Sequence, residues 1–222
     1  ASSFILSSRP EKEAYIVSEV GQDGYHMRVM TGKPPVEAKA GTKASRGANF
    51  RCIMSQVPIE PEYIKTEAAA GRMGAKLMAI VAEGTKSRIY LSPTTEHEAI
   101  AKAATPGDAA NSIKVPIAND PRPMTCLLYG MSRFDQLFTS RQLVALTTFA
   151  DLVGEARLKI RNDAIAAGLE NDERPLASGG AGAQAYAEAI SVYLAFALSK
   201  QADLANSLCG WEPIAQCPRH LF

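Results

Sequence analysis

Two runs rich in β-branched and aromatic residues, Tyr15-Ile16-Val17-Ser18-Glu19-Val20 and Tyr25-His26-Met27-Arg28-Val29-Met30, flank Gly21-Gln22-Asp23-Gly24. A Gly- and Asp-containing turn between two such runs predicts a β-hairpin. Gly32-Lys33-Pro34-Pro35 and the Lys-, Gly- and Ala-rich stretch to Gly47 predict a loop or linker. After Pro58 and Pro61 a short helix is expected from Glu62 to about Ala70, ended by Gly71. Leu77-Met78-Ala79-Ile80-Val81-Ala82 and Arg88-Ile89-Tyr90-Leu91 then flank Glu83-Gly84-Thr85-Lys86-Ser87, which predicts a second hairpin. Thr94 or Thr95 can cap the next helix, whose first turn holds Glu96 and Glu98 where the helix dipole favours acid. Residues 105–123 are rich in proline, glycine and polar residues and predict a long surface loop.

The pattern then changes to a helical period. Thr139 and Gln142 have the spacing of a capping box. Leu143, Leu146, Ala150, Val153, Ile160 and Ala164 recur at helical intervals to about Ala167, with Gly168 as a stop. A second helix is expected from about Ala183 to Leu208, placing Tyr186, Ile190, Tyr193, Ala197, Leu204 and Leu208 on one face. Two such helices should pack antiparallel, each burying the other's stripe. The expected fold class is α+β, with β-hairpins first and a long helical hairpin last. The expected division is 1–46 as a β-hairpin and linker region, 47–123 as a degenerate ribbon-like and β-hairpin subdomain, and 124–222 as a helical subdomain.

Composition narrows this picture. A chain of 222 residues can form one large domain or two small ones. Its formal net charge of +1 gives no overall field aimed at nucleic acid or an anionic membrane. Apolar runs such as Tyr193 to Leu198 fall far short of the roughly 20 residues a membrane-spanning helix needs. Phe4-Ile5-Leu6 is too short for a signal-peptide core, so a cytoplasmic location without a membrane partner is expected. Cys52, Cys126, Cys209 and Cys217 are too few and scattered for a disulfide scaffold and should be free thiols. The start at Ala1-Ser2-Ser3-Phe4, without Met, is expected of a processed or excised chain.

Candidate chemistry is sparse. Gly180-Ala181-Gly182-Ala183-Gln184-Ala185 fits a dinucleotide-binding pattern, and Asp203 follows about 20 residues on. A phosphate-binding turn needs a strand running into it, whereas residues 170–178 are polar, so a loop opening a helix is the better reading. Cys52-Ile53-Met54-Ser55 is half a zinc knuckle with Ser55 in place of the second thiol, and four-ligand closure would require distant partners. No metal ligand is therefore assigned. Glu96-His97-Glu98 lacks the His-Glu-x-x-His spacing and is explained by an acidic first turn. Nucleophile-elbow and Walker-type patterns are missing, so no catalytic residue is assigned. The remaining candidates are Lys65, Arg72 and Lys76 around Gly71-Arg72-Met73-Gly74, where glycines beside an arginine would let backbone and guanidinium approach a nucleic-acid phosphate together. Their alternative is ordinary solvated surface charge.

Tyr63-Ile64-Lys65-Thr66-Glu67 and Ala70 through Gly84 closely resemble the zinc-ribbon-containing adenine-specific DNA methylase family. So do Ile89-Tyr90-Leu91-Ser92-Pro93-Thr94 with Glu96 to Ile100, Leu137-Phe138-Thr139 with Arg141 to Phe149, and Asp151 to Arg157. The likeness continues through Ala185 to Ala189, Tyr193-Leu194-Ala195 and Ser207-Leu208-Cys209 with Trp211 and Pro213. It covers most of 47–222, and residues 1–46 match only loosely. The resemblance implies a DNA-modifying enzyme of restriction–modification type that transfers a methyl group from S-adenosylmethionine to the adenine N6. In that family a cofactor loop lies upstream of this region and an Asp-Pro-Pro-Tyr loop downstream.

Such an enzyme stacks an extruded base on the aromatic ring of the Asp-Pro-Pro-Tyr loop. Neither that loop nor a Gly-rich cofactor turn occurs here, and Pro34-Pro35 is flanked by Lys33 and Val36. The chain is thus expected to be a non-catalytic recognition or scaffolding segment, inactive alone and without its own cofactor. Its expected partners are DNA and the remainder of the methyltransferase. The alternative is a protein–protein docking or oligomerisation module of the same system, with no direct DNA contact. Family members show Cys-x-x-Cys where this chain has Cys52 and Ser55, which implies a ribbon without metal.

Overall fold

The structure is a computed structural model, and it describes residues 1–120, 122 and 125–220. The chain forms two compact units assembled from non-consecutive segments. The first takes Ala1–Ala103, Pro116–Gln136 and Gly210–Arg219; the second takes Ala104–Val115, Leu137–Cys209 and, of the described residues, His220. Small antiparallel sheets dominate the first and helices the second, so the fold class is α+β.

In the first unit, β1 (Ile5–Ser7), β2 (Ala14–Gly21) and β3 (Gly24–Thr31) form one antiparallel sheet in that order. Gly21 pairs with Gly24, leaving Gln22-Asp23 as a two-residue turn, and Gly24 sits at φ +120°, which a side chain would resist. Alternate residues of β2 and β3 point inward: Ala14, Ile16 and Met27 pack with Phe4, Leu6 and Ala38 to make the core. Ala38 comes from α1 (Val36–Ala40), a short helix inside the stretch expected to be a loop. Two more sheets follow, β4 (Phe50–Arg51) with β5 (Pro58–Ile59) and β6 (Ile80–Glu83) with β7 (Arg88–Leu91), separated by α2 (Pro61–Ala69). The second hairpin is therefore shorter than expected on its first strand, which begins at Ile80 rather than Leu77. Gly71, at φ +69°, does end α2.

The helix α3 (Thr95–Ala103) starts as the sequence suggests, with Thr94 accepting the His97 N–H at its Oγ1. After the second unit, β8 (Trp211–Glu212) and β9 (Cys217–Pro218) return to β1. The Trp211 indole N–H donates to the Leu6 carbonyl at 2.7 Å, and the Gln216 amide donates to the buried Ser7 hydroxyl at 2.7 Å. These bonds satisfy polar groups that burial would otherwise penalise.

The second unit is built on α4 (Ser140–Ala166) and α5 (Ala183–Leu204). Thr139 caps α4 in a complete capping box: its hydroxyl accepts the Gln142 N–H, and the Gln142 side chain accepts the Thr139 N–H at 2.8 Å. Gly168 at φ +95° closes the other end, its N–H donating to Ile165. Arg157 of α4 meets Glu188 of α5, while Ile160 and Ala164 lie by Tyr186, and Phe149 and Leu152 by Leu198 and Gln201. The helices thus run antiparallel.

The buried stripe of α5 differs from the expected one. Ala183, Ala185 and Ala187 are buried, whereas Tyr186 and Tyr193 are exposed. Ala183 and Ala187 share a side of the helix and Ala185 lies opposite them, so the start of α5 is buried on more than one side. α5 also stops at Leu204 rather than Leu208. The buried Asn206 amide donates to the carbonyls of Ala202 and Asp203 and so terminates the ladder. Residues 105–123 are not a plain loop: Asp108–Ile113 forms a 3-10 helix with Ala110 buried. Positions 121 and 123 of that stretch lie outside the described residues.

Candidate functional site

The three sequence-level candidates all lie in the first unit, and each is held by a carboxylate. Lys65 Nζ stands 2.6 Å from Glu62 Oε1, one helical turn back on α2. Arg72 makes a two-pronged bond to Glu67, Nε to Oε2 at 2.8 Å and Nη2 to Oε1 at 2.7 Å. Lys76 Nζ lies 2.7 Å from Glu98 Oε1 on α3 and 5.9 Å from the centre of the Tyr25 ring. The bond from Arg72 holds the Glu67 carboxyl below its usual range, and that from Lys76 does the same to Glu98. A phosphate arriving here would have to displace a carboxylate at each cation.

The other motifs are absorbed locally. A side chain at Gly180 would collide with the carbonyl of Arg174, and one at Gly182 with Glu170 and Asp172, so these glycines allow the 170–182 loop to fold onto the start of α5. Ala183 N–H donates to the Glu170 carbonyl at 2.8 Å, which uses one of the amides a bound phosphate would need. Around Cys52 the chain turns tightly, with Gln56 N–H donating to the Cys52 carbonyl and Gln56 at φ +59°. The Ser55 side chain beside Cys52 pulls its thiol below the usual value. Among the described residues, no group of three or more His, Cys, Asp and Glu is placed to hold a metal. His97 fills the reciprocal place in the α3 cap, its Nδ1 3.3 Å from Thr94 N.

The second unit exposes large apolar residues on both of its long helices. A groove of about 430 Å³ runs between α4 and α5, lined by Phe149, Leu152, Val153, Ala156, Leu194, Ala197, Leu198 and Gln201. Tyr193 stands one turn from Ala197, and Phe196 is its neighbour on the helix. Phe149, Tyr193 and Phe196 are 51%, 71% and 67% exposed. Phe149 lines this groove, while Tyr193 and Phe196 are exposed on α5 outside its lining, and exposed large apolar side chains on one hairpin make it a candidate interaction surface. Sequence reading missed Phe149, Leu152 and Phe196. The available signal was a surplus: α4 and α5 carry more large apolar residues than one shared interface can bury. On the other side of the hairpin a second cleft of about 610 Å³ is bounded by Asp108, Ser112, Phe138, Asp151 and Ser199 among others.

Compared with protein-family models, with curated proteins and with solved structures, the chain has no match in any of the three.

Proposed function

We propose that the chain is a non-catalytic scaffolding segment of an S-adenosylmethionine-dependent DNA adenine methyltransferase, and that the α4–α5 face docks against the catalytic core of that enzyme. The parentage rests on the residue blocks that resemble the methylase family. Docking is supported by one observation above others, an apolar groove between α4 and α5 in which Phe149 is exposed, on a hairpin that also exposes Tyr193 and Phe196. Aromatic side chains in the centre of a patch are the usual anchors of a protein interface. The catalytic core is the occupant chosen because the resemblance implies that it belongs to the same enzyme.

This reading takes the docking role over direct DNA recognition by Lys65, Arg72 and Lys76, since each of those cations already has a carboxylate at hydrogen-bond distance. The test is methyl transfer from labelled S-adenosylmethionine to adenine in duplex DNA. The chain alone should transfer none. The methyltransferase containing it should lose at least about tenfold in activity with Tyr193→Glu/Phe196→Glu, the cost of burying unpaired charge in an interface. Methylation by these 222 residues alone, or unchanged activity in the doubly substituted enzyme, contradicts it.

A further inference from the structure

Residues 33–51 hold five cations, Lys33, Lys39, Lys43, Arg46 and Arg51, against the single carboxylate of Glu37, in a chain whose net charge is +1. All five are exposed, and none forms an ion pair among the described residues. That contrasts with Lys65, Arg72 and Lys76, each of which is neutralised within the fold. The fold concentrates three of the five on one ribbon. Lys43 bridges Phe50 in antiparallel fashion, Arg51 N–H donates to the Thr42 carbonyl at 2.8 Å, and Ala44 N–H donates to the Asn49 carbonyl at 3.0 Å. The turn at the tip is fixed by Gly47 at φ +71° and by the Asn49 amide, which donates to the Arg46 carbonyl at 2.7 Å.

Alternation along the ribbon distributes the charge. Lys43 and its partner Phe50 share a face, where the ammonium sits 5.7 Å from the ring centre. Arg51, one residue on, belongs to the opposite face, and Arg46 is at the tip. From these placements we infer that the 42–51 ribbon binds the phosphodiester backbone of duplex DNA. Phe50–Arg51 is paired on one edge with 42–44 and on the other with β5, so Lys43, Arg46 and Arg51 stand on a narrow three-stranded sheet and its exposed turn, and cations left unpaired by the fold are the usual contacts to rows of phosphate. Arginine supplies two-pronged contacts to phosphate. An anionic membrane surface is the poorer fit. The cations at 43, 46 and 51 have no exposed large apolar side chain between them to insert into lipid, and the exposed Val36, Met54 and Val57 that flank them make vesicle binding the competing outcome of the test.

This surface lies in the first unit and does not depend on the docking face of the second, so either can fail alone. The experiment is fluorescence anisotropy of a labelled DNA duplex titrated with the full chain at several salt concentrations. Binding should weaken with salt along a log–log slope of magnitude about 2 to 3, as expected for about three engaged cations. Arg46→Glu/Arg51→Glu should cut affinity at least tenfold, and Arg46→Glu alone, at the exposed tip, should cut it several-fold without altering the far-ultraviolet circular dichroism. Arg72→Glu/Lys76→Glu should change affinity less than twofold. Salt-independent or absent duplex binding, or a larger loss from Arg72→Glu/Lys76→Glu than from Arg46→Glu/Arg51→Glu, overturns the inference. So does binding to phosphatidylserine vesicles in place of DNA.

Discussion

Glu188 of α5 reaches across the helical hairpin to Arg157 of α4, with the Arg157 Nη2 atom 2.8 Å from Glu188 Oε1. The same carboxylate accepts the Gln184 amide at 2.7 Å and the Leu176 N–H at 2.8 Å, so one side chain ties both helices to the loop between them. The Leu176 N–H is the main cause holding the Glu188 carboxyl below its usual range, with Gln184 and Arg157 adding to it. A carboxyl depressed on folding contributes stability that is present above its unfolded value and is lost as pH falls through the folded one. Glu188→Gln should therefore lower the melting temperature near pH 7, and lower it less at about pH 3. Thermal melts of both proteins across that range check the sign; an equal decrement at both pH values would remove the charge from the explanation.

Gly154 lies in the middle of α4 on an exposed position, and a methyl group there would meet nothing within 4 Å. Glycine in a helix interior costs roughly 0.5–1 kcal/mol relative to alanine because its backbone loses more freedom. Gly154→Ala should raise unfolding free energy by about that amount, read from urea denaturation monitored on the helical signal. A destabilised variant would mean that α4 is not a continuous helix at this position.

Thr139 supplies the hydroxyl that caps α4. Thr139→Ala should cost about 1 kcal/mol, and Gln142→Ala less, since only the reciprocal bond is then lost. The same denaturation experiment separates the two.

Tyr193 and Phe196 point the other way. Because both are largely exposed, Tyr193→Ser and Phe196→Ser should change the stability of the isolated chain by no more than about 0.5 kcal/mol. A loss of several kcal/mol would show these rings to be part of the unit's own core rather than a docking surface.

What the sequence disclosed follows the range of each interaction. The Thr139–Gln142 cap and the Gly21–Gly24 turn are written within four residues, and both are visible from residue types alone. The paired cations divide on the same ground. Glu62 and Glu67 stand close enough in sequence to Lys65 and Arg72 to suggest their pairing, while Glu98 comes to Lys76 only through packing of α3. Trp211 and Gln216 bind Leu6 and Ser7 across more than 200 residues, and no local signal announces that return. On α5 the ambiguity is chemical. Alanine and tyrosine both count as apolar, so periodicity alone does not tell that Ala183, Ala185 and Ala187 are buried while Tyr186 among them is exposed.

The docking claim meets its most direct test in hydroxyl-radical footprinting of Phe149, Tyr193 and Phe196, comparing the chain alone with the methyltransferase that contains it. Labelling of all three should fall several-fold in the larger protein, while labelling of the isolated chain stays constant with concentration. Equal labelling in the two contradicts docking against the catalytic core, and protection that grows with the concentration of the isolated chain assigns the face to a second copy instead.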